Sequence, residues 1–342
     1  MKKTIKNILL IQTAFLGDVV LATPLIEKLH YNFPDAEIDF ILKKGNESVL
    51  VNHPYIRNLI VFDKKQKVKS LIAIIKKIRH EKYDLAVNMH RFGSSGIFML
   101  LSGAKTKTGF DKNPFSFCYN HKVKHVIGED GEHETKRNLK LIEPFTDNSF
   151  FPPRIYPTAF DLEKIEKYKE TRYITIAPAS VWFTKQFPAG KWVELLDFLS
   201  NDNIKIFLIG GPGDFSLCEE IKNSSSNNNV SNLAGKLSLL QSAALIKDAE
   251  LNYVNDSGPL HLASATNAPV CSVFCSTVPE FGFGPLSEFS RVIQTEEKLH
   301  CKPCNLHGFK ECPEGHFKCA NNISAKRLYE VYQEIKATHL AT

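Results

Sequence analysis

A short stretch in the second half of the chain carries residue types suited to binding a phosphorylated sugar. Residues 255–261 follow an apolar run and open into a helical segment of small residues. A strand that runs through a turn into a helix leaves backbone N–H groups that, together with the helix dipole, favour an anion. The carboxylate of Asp256 adds an acceptor for sugar hydroxyls. An equally open interpretation is that Asp256 or Ser257 caps the helix.

A second candidate lies near the N-terminus. The apolar run 8–12 leads into a turn at Gly17, and Asp18 stands near the start of the next helical segment. An exposed aspartate, with a pKa of about 3.9, is ionised at neutral pH and can accept a proton from a hydroxyl. The alternative is an aspartate that only caps the helix. No G-x-G-x-x-G pattern follows the strand, so the dinucleotide fingerprint is absent.

Two further segments also follow predicted strands. Ser180 and Lys185 come after the run 174–177, and a lysine supplies concentrated positive charge suited to a diphosphate leaving group. Asp214 comes after the run 205–209 and three nearby glycines, which let backbone approach a ligand closely. Its carboxylate suits a ribose diol. The alternatives are a solvent-exposed lysine and a tight turn that Asp214 caps.

Four cysteines near the C-terminus have the spacing C-x2-C-x7-C-x6-C: Cys301, Cys304, Cys312 and Cys319. His316 lies inside this segment. In a reducing compartment zinc or free thiols are favoured over disulfides. Because the spacing matches no standard zinc motif, both interpretations stay open, and we assign no metal ligand.

The arrangement of these segments predicts an α/β protein. Strand-like apolar runs alternate with amphipathic helical segments, which is typical of parallel sheets covered by helices. The predicted strands are 8–12, 37–42, 58–62, 84–89, 174–177, 205–209, 251–254 and 270–274. The predicted helices are 20–32, 69–80, a segment around Gly96, 191–200, 215–223, 239–247 and 260–266.

The length of 342 residues favours two domains. Three prolines within 151–157 favour an extended connector there. We therefore predict two doubly wound Rossmann-like domains, 1–155 and 156–342, that face each other across a cleft, with the terminal helix a candidate to pack back on the first. Ligands bind at the carboxyl ends of the strands in such sheets.

The net charge of +6 is modest, but lysines and arginines crowd residues 64–82. This favours an anionic partner, either a phosphorylated glycolipid or a membrane surface, although solvated helix faces also explain such runs. We expect no nucleic-acid partner. The uncharged segment 92–104 is shorter than the ~20 residues of a membrane span, and the first apolar run fits a strand better than a secretion signal. These features predict a cytoplasmic protein, at most touching the membrane.

Taken in order, the candidate segments resemble glycosyltransferase family 9, the ADP-heptose:lipopolysaccharide heptosyltransferases, and heptosyltransferase II in particular. The resemblance runs from about residue 8 to the C-terminal helix. The matching pieces are 16–20, 185–188 with Lys191 and Trp192, 210–214, and 256–261. The cysteine segment is also similar to that of some members.

The resemblance implies a GT-B fold and an inverting, metal-independent transfer of heptose from ADP-L-glycero-D-manno-heptose, with no cofactor. It implies that the first domain binds the acceptor, the lipid A–Kdo core, and that the second binds the nucleotide sugar. Asp18 is then the general base and Lys185 binds the donor diphosphate. The remaining implied donor contacts are Ser180, Asp214, Asp256, Ser257, Gly258 and His261.

Some features depart from the family or leave alternatives open. Ser180 and Val181 stand where some members carry two threonines, and residues 88–125, expected to set acceptor choice, show no motif. An epimerase or hydrolase of the same architecture, a transferase for another sugar or acceptor, and a non-enzymatic binding module are the alternatives.

Overall fold

A computed structural model of the chain describes residues 5–128 and 131–340. The chain folds into two compact units that meet in sequence between Tyr156 and Pro157. Each unit contains a six-stranded sheet in which every strand pair is parallel. The predicted α/β fold class is therefore confirmed.

The first unit is built around the strand order β3-β2-β1-β4-β5-β6. Its strands are β1 (Asn7–Gln12), β2 (Glu37–Lys43), β3 (Ile56–Phe62), β4 (Leu85–Asn88), β5 (Thr106–Phe110) and β6 (His121–Val123). Its helices are α1 (Leu16–Val20), α2 (Thr23–Asn32), α3 (Lys67–His80), α4 (Gly93–Leu101) and α5 (Glu134–Lys140).

The second unit repeats this arrangement with the order β12-β11-β10-β7-β8-β9. Its strands are β7 (Tyr173–Ala177), β8 (Lys205–Leu208), β9 (Val230–Asn232), β10 (Asn252–Asn255), β11 (Val270–Val273) and β12 (Ser290–Ile293). Its helices are α6 (Ala159–Ile165), α7 (Ala189–Phe198), α8 (Phe215–Ser224), α9 (Leu239–Lys247), α10 (Gly258–Thr266), α11 (Lys318–Asn321) and α12 (Ala325–Leu340). The helix α12 packs against α7 and β12 of this unit.

The central strands explain why the sequence folds this way. Ile8, Leu9, Leu10 and Ile11 of β1 are all fully buried. A strand of a parallel sheet is covered on both faces by helices, so a continuous apolar run suits it better than alternation. The strand β10, which is also central in its sheet, is buried at all four residues.

One predicted helix begins later in the structure. The helix predicted over 20–32 is α2, which starts at Thr23, and the short helix α1 precedes it, with Leu21 and Ala22 between them. Pro24 occupies the first turn of α2, where its missing N–H costs nothing. The same proline inside a longer helix would remove a backbone hydrogen bond, so the chain starts a new helix instead.

Among the helices within 5–128 and 131–340, none combines the length and apolar character that a bilayer span demands.

Candidate functional site

The candidate residues of the second unit gather where the strand order reverses. From β7 the chain proceeds outward to β8 and β9, and later returns to place β10 on the other side of β7. The loops after β7 and β10 therefore diverge, and this switch point is where open α/β sheets bind ligands. Lys185 lies in the loop after β7, and Asp256 directly follows β10.

Lys185 and Asp256 form an ion pair at this point. Lys185 Nζ lies 2.7 Å from Asp256 Oδ2, and the Thr277 hydroxyl donates a 2.6 Å hydrogen bond to the same oxygen. Lys185 sits at the end of the 3-10 turn Phe183–Lys185, and its side chain is only 15% exposed. The alternative interpretation, in which Lys185 is exposed to solvent, is therefore wrong. The site holds a cation and a carboxylate side by side in a mostly buried setting.

Asn255 fixes the loop that carries Lys185. Its Nδ2 donates to the carbonyl of Pro178 at 2.7 Å, and its Oδ1 accepts from the N–H of Phe187 at 3.0 Å. The side chain is fully buried, where polar groups are almost always hydrogen-bonded. Asn255 was not singled out from the sequence. The available signal was a polar residue at the end of a buried strand.

The start of α10 is not capped by a side chain. Ser257 is the N-cap residue, but its hydroxyl donates to the carbonyl of Asn255 at 3.3 Å rather than accepting from the helix. Asp256 is held by Lys185 and Thr277 instead. The capping interpretation of this stretch is therefore wrong. Pro259 has no N–H. An anion at the start of α10 can therefore bind the Gly258 N–H and is also attracted by the helix dipole.

Three other candidate residues lie around the same sheet. His261 is buried in α10, with its ring centroid 6.4 Å from that of Phe283. Ser180 is partly buried in the loop after β7, and its carbonyl accepts a 2.7 Å hydrogen bond from Gln186 Nε2. Asp214 follows β8, and its Oδ2 accepts from the Gly211 N–H at 2.8 Å. The carboxylate of Asp214 thus caps its own turn, as the alternative interpretation held.

In the first unit the equivalent reversal lies between β1 and β4. Asp18 occupies the third position of α1 directly after β1, where its Oδ2 accepts from the Phe15 N–H at 3.1 Å. It is partly buried. Burial lowers the pKa of Lys64, nearby Lys43 acts in the same direction, and the negative charge of Asp18 opposes them. Asp18 is therefore close to a lysine that follows β3.

His90 is a polar group at this edge that the sequence analysis missed. It follows β4, is buried, and its Nδ1 lies 3.0 Å from the hydroxyl oxygen of Thr13 at the end of β1. Burial lowers the pKa of His90 to about 4, and the positive charges of Lys64 and Arg91 act in the same direction. The ring is consequently neutral at neutral pH. No spacing in the sequence links it to β1.

Cations collect along the carboxyl edge of the first sheet. A cation ends or closely follows four of the strands: Lys43 for β2, Lys64 for β3, Arg91 for β4 and Lys112 for β5. None of the four forms an ion pair with a carboxylate in the part of the chain that the structure describes. Because Asp18 follows β1, Asp63 follows β3 and Asp111 follows β5, this edge combines carboxylates with the cations. Two of these cations lie in the segment 88–125, where the sequence showed no motif.

The cysteine segment forms neither disulfides nor a metal cage. Cys301, Cys304, Cys312 and Cys319 are free thiols. Over residues 5–128 and 131–340, no three His, Cys, Asp or Glu side chains converge in a way that could hold a metal ion. Burial raises the pKa of Cys319 to about 11, so its thiol is protonated at neutral pH.

Comparison with known proteins gives a consistent family assignment. The model of glycosyltransferase family 9 (heptosyltransferase) matches residues 71–313. Lipopolysaccharide heptosyltransferase 3 of Escherichia coli is 30% identical over 278 residues, which are 77% of this chain and 82% of the relative.

Two solved structures share the fold over nearly the whole chain. A family 9 glycosyl transferase from Veillonella parvula DSM 2008 has a TM-score of 0.82 at 21% identity, covering 98% of both chains. The E. coli ADP-heptose LPS heptosyltransferase II has a TM-score of 0.80 at 20% identity, covering 97% of this chain and 99% of its own.

Proposed function

Because the chain belongs to glycosyltransferase family 9, the heptosyltransferases, we propose that it transfers L-glycero-D-manno-heptose from ADP to the inner core of lipopolysaccharide. Similarity to lipopolysaccharide heptosyltransferases supports this donor and this class of acceptor. The structural observation that carries the proposal is the buried Lys185–Asp256 ion pair beside the start of α10. A cation, a carboxylate and a helix N-terminus are the groups that a sugar diphosphate requires.

The donor phosphates are proposed to bind at the start of α10. Lys185 Nζ neutralises the charge that grows on the diphosphate as the glycosidic bond breaks. The Gly258 N–H, the helix dipole and the hydroxyls of Ser180 and Ser257 bind the phosphate oxygens. With Lys185 supplying this charge, the transfer needs no divalent metal and no cofactor.

The sugar ends of the donor are proposed to meet three side chains. Asp256 and His261 contact the heptose, which lies next to the diphosphate. Since Asp256 Oδ2 is already held by Lys185 and Thr277, Oδ1 is the oxygen we assign to a heptose hydroxyl. Asp214, after the neighbouring strand β8, accepts hydrogen bonds from the ribose of the adenosine.

The transfer itself is proposed to be a single inverting displacement. The acceptor hydroxyl oxygen forms a bond to the anomeric carbon while the bond from that carbon to the diphosphate breaks, and ADP leaves with the electron pair. Asp18 takes the proton of the hydroxyl as general base. The carboxylate of Asp18 is held in place at the first turn of α1, because it already accepts the Phe15 N–H.

The acceptor is proposed to bind at the carboxyl edge of the first unit. Lys43, Lys64, Arg91 and Lys112 supply positive charge around Asp18. The lipid A–Kdo core carries carboxylates and phosphates, which suit these cations. We further propose that the enzyme works at the cytoplasmic face of the inner membrane, which α3 contacts through its lysines.

A product assay tests the donor, the acceptor and the reaction class together. The protein is incubated with a panel of ADP- and UDP-sugars, with and without deacylated inner-core acceptor. We expect ADP release and a heptosylated product only when ADP-heptose and acceptor are both present. ADP release without acceptor would indicate a hydrolase, and an isomeric ADP-sugar formed without ADP release would indicate an epimerase. Turnover confined to UDP-sugars would overturn the donor.

A further inference from the structure

The loop 305–309, which lies inside the cysteine segment between Cys304 and Cys312, is bound to the turn that carries Lys185. The Thr184 N–H donates to the carbonyl of Phe309 at 3.1 Å, and the Phe309 N–H donates to the Thr184 hydroxyl oxygen at 2.8 Å. The Thr184 hydroxyl in turn donates to the Phe309 carbonyl at 3.3 Å. Thr184 is buried, so these bonds are protected from water. The residue directly before Lys185 is therefore tied to a distant part of the chain.

Two further hydrogen bonds connect Thr184 to the residues just after β11. The Ser276 hydroxyl donates to the Thr184 hydroxyl oxygen at 3.0 Å, and the Ser276 N–H donates to the Thr184 carbonyl at 3.2 Å. The next residue, Thr277, holds Asp256. The residues after β11 thus hold two groups in place: the backbone before Lys185 and the carboxylate that pairs with Lys185.

Gly308 is the point where this loop meets the lysine side chain. Its φ of +80° lies in the left-handed region, and a Cβ built there would lie 3.0 Å from Lys185 Cγ, 3.0 Å from Thr184 Oγ1 and 3.2 Å from Trp182 Cβ. These separations are shorter than ordinary van der Waals contact, so the stem of Lys185 runs directly over the Gly308 backbone. An unrestrained lysine side chain adopts several rotamers. Contact with a surface along its aliphatic chain restricts them.

We propose that the loop 305–309 is a positioning element for Lys185 and that this role requires glycine at position 308. The hydrogen bonds at Thr184 set the direction of the lysine, and the bare backbone of Gly308 leaves room for its stem to reach Asp256. This inference rests on the proposed role of Lys185 at the donor diphosphate. Gly308 touches no substrate in this account and acts through Lys185.

The test compares two alanine substitutions at glycines of the same loop region. Gly308→Ala and Gly315→Ala both place alanine at a positive φ, +80° and +70°. A Cβ at Gly315 meets nothing within 4 Å, so only Gly308→Ala disturbs Lys185. We expect Gly308→Ala to weaken ADP binding and raise the donor KM by about tenfold or more, since small misplacements at a site are costly. Gly315→Ala should change both by less than about twofold, while lowering the melting temperature similarly.

A double-mutant cycle separates a positioning role from general damage. In the Lys185→Ala background the new Cβ still meets Thr184 and Trp182, but Gly308→Ala should have little further effect on ADP affinity, because the lysine that it mispositions is gone. If Lys185→Ala itself leaves ADP binding and turnover unchanged, the proposed function of Lys185 fails. If Lys185→Ala impairs both but Gly308→Ala behaves like Gly315→Ala, the positioning element fails while the proposed function stands. The positioning role would also be overturned if the double variant lost as much ADP affinity as the two single losses combined.

A second pair of variants serves if Gly308→Ala does not fold. Thr184→Val removes the three hydroxyl hydrogen bonds and keeps the shape, whereas Thr184→Ser keeps the hydroxyl. We expect Thr184→Val to weaken ADP binding severalfold and Thr184→Ser to remain near the parent protein. Equal ADP affinity in Thr184→Val and the parent would contradict the inference.

Discussion

Asp18 is the residue whose replacement tests the proposed chemistry most directly. Asp18→Asn keeps the size of the side chain and an oxygen that can still accept from the Phe15 N–H, but it cannot take a proton. We expect kcat to fall by about 10²- to 10⁴-fold, the usual contribution of a general base. ADP affinity should not change, because the proposed donor groups all lie beyond Tyr156.

A matched control uses an exposed aspartate of the same unit. Asp35→Asn makes the same change at an exposed position and should leave turnover unaltered. Retention of most of the transfer rate by Asp18→Asn would remove the base assignment and leave only the role of this residue in its turn.

His90 and His125 predict how stability depends on pH. Burial lowers the pKa of both rings to about 4, against about 6.5 in the unfolded chain. Between these values the unfolded chain binds more protons, so the free energy of unfolding falls as pH drops from about 6.5 to about 4. Each ring contributes a loss of up to about 3 kcal/mol, at about 1.36 kcal/mol per pKa unit. Above about pH 6.5 the loss is absent.

Urea unfolding at pH 7, 6 and 5 measures this dependence. His90→Asn should flatten the slope over the acid side of this range, whereas replacement of the exposed His80 should leave it unchanged. An unchanged slope in His90→Asn would mean that the ring is not kept neutral by the fold.

The sequence predicted which residues are candidates for the site better than it predicted which of them contact each other. Lys185 and Asp256 were identified because each follows a strand, but their ion pair was not, since no spacing rule links two residues so far apart in the chain. Asn255 and His90 act through buried hydrogen bonds between loops. Such contacts depend on which strands are neighbours in the sheet, and that order cannot be read from local pattern.

At the scale of elements, α3 is the candidate membrane contact. Val68 and Ile72 are 71% and 49% exposed on this helix, and several exposed lysines accompany them on it. An exposed apolar pair among cations fits an anionic bilayer, which attracts the lysines and takes up the apolar groups. The partner we assign to this face is therefore a lipid surface.

Vesicle co-sedimentation tests this assignment. We expect binding to vesicles containing phosphatidylglycerol and little binding to neutral ones. The double variant Val68→Ser/Ile72→Ser should bind several times more weakly, while Val51→Ser, at another position with 60% exposure, should bind normally. Turnover of a deacylated acceptor should not change in either. Equal sedimentation of the double variant and the parent would count against α3.

The strands that sequence patterns missed are short or partly polar and lie toward the sheet edges. The strands β6 and β9 are three residues each, and β5 and β12 contain polar side chains. Periodicity needs more residues than these to stand out. The buried strands β1 and β10 were predicted because burial on both faces demands a continuous apolar run.

At the scale of the whole molecule, the alternation of strands and helices predicted two α/β sheets, and the structure contains them. The hydrophobic core of the second unit joins buried residues from β7, β8, β10 and β11 with those of α7 and α12. A separate cluster in the first unit joins β1, β2 and β3 to α3 and α4. Each unit thus has a core of its own, as an independently folding domain does.

This division predicts that donor binding survives separation of the units whereas transfer does not. A fragment of residues 157–342 contains every proposed donor contact, from Ser180 to His261, together with the loop 305–309 that holds Lys185. We expect it to show the circular dichroism of a folded α/β protein and to bind ADP in calorimetry within about tenfold of the full chain, since the lost contacts belong to the acceptor side. It should release no ADP from ADP-heptose with acceptor, because Asp18 is absent. The fragment carrying Lys185→Ala is the control and should bind more weakly. A folded fragment without ADP affinity, beside a full chain that binds, would show that the first unit contributes to the donor site.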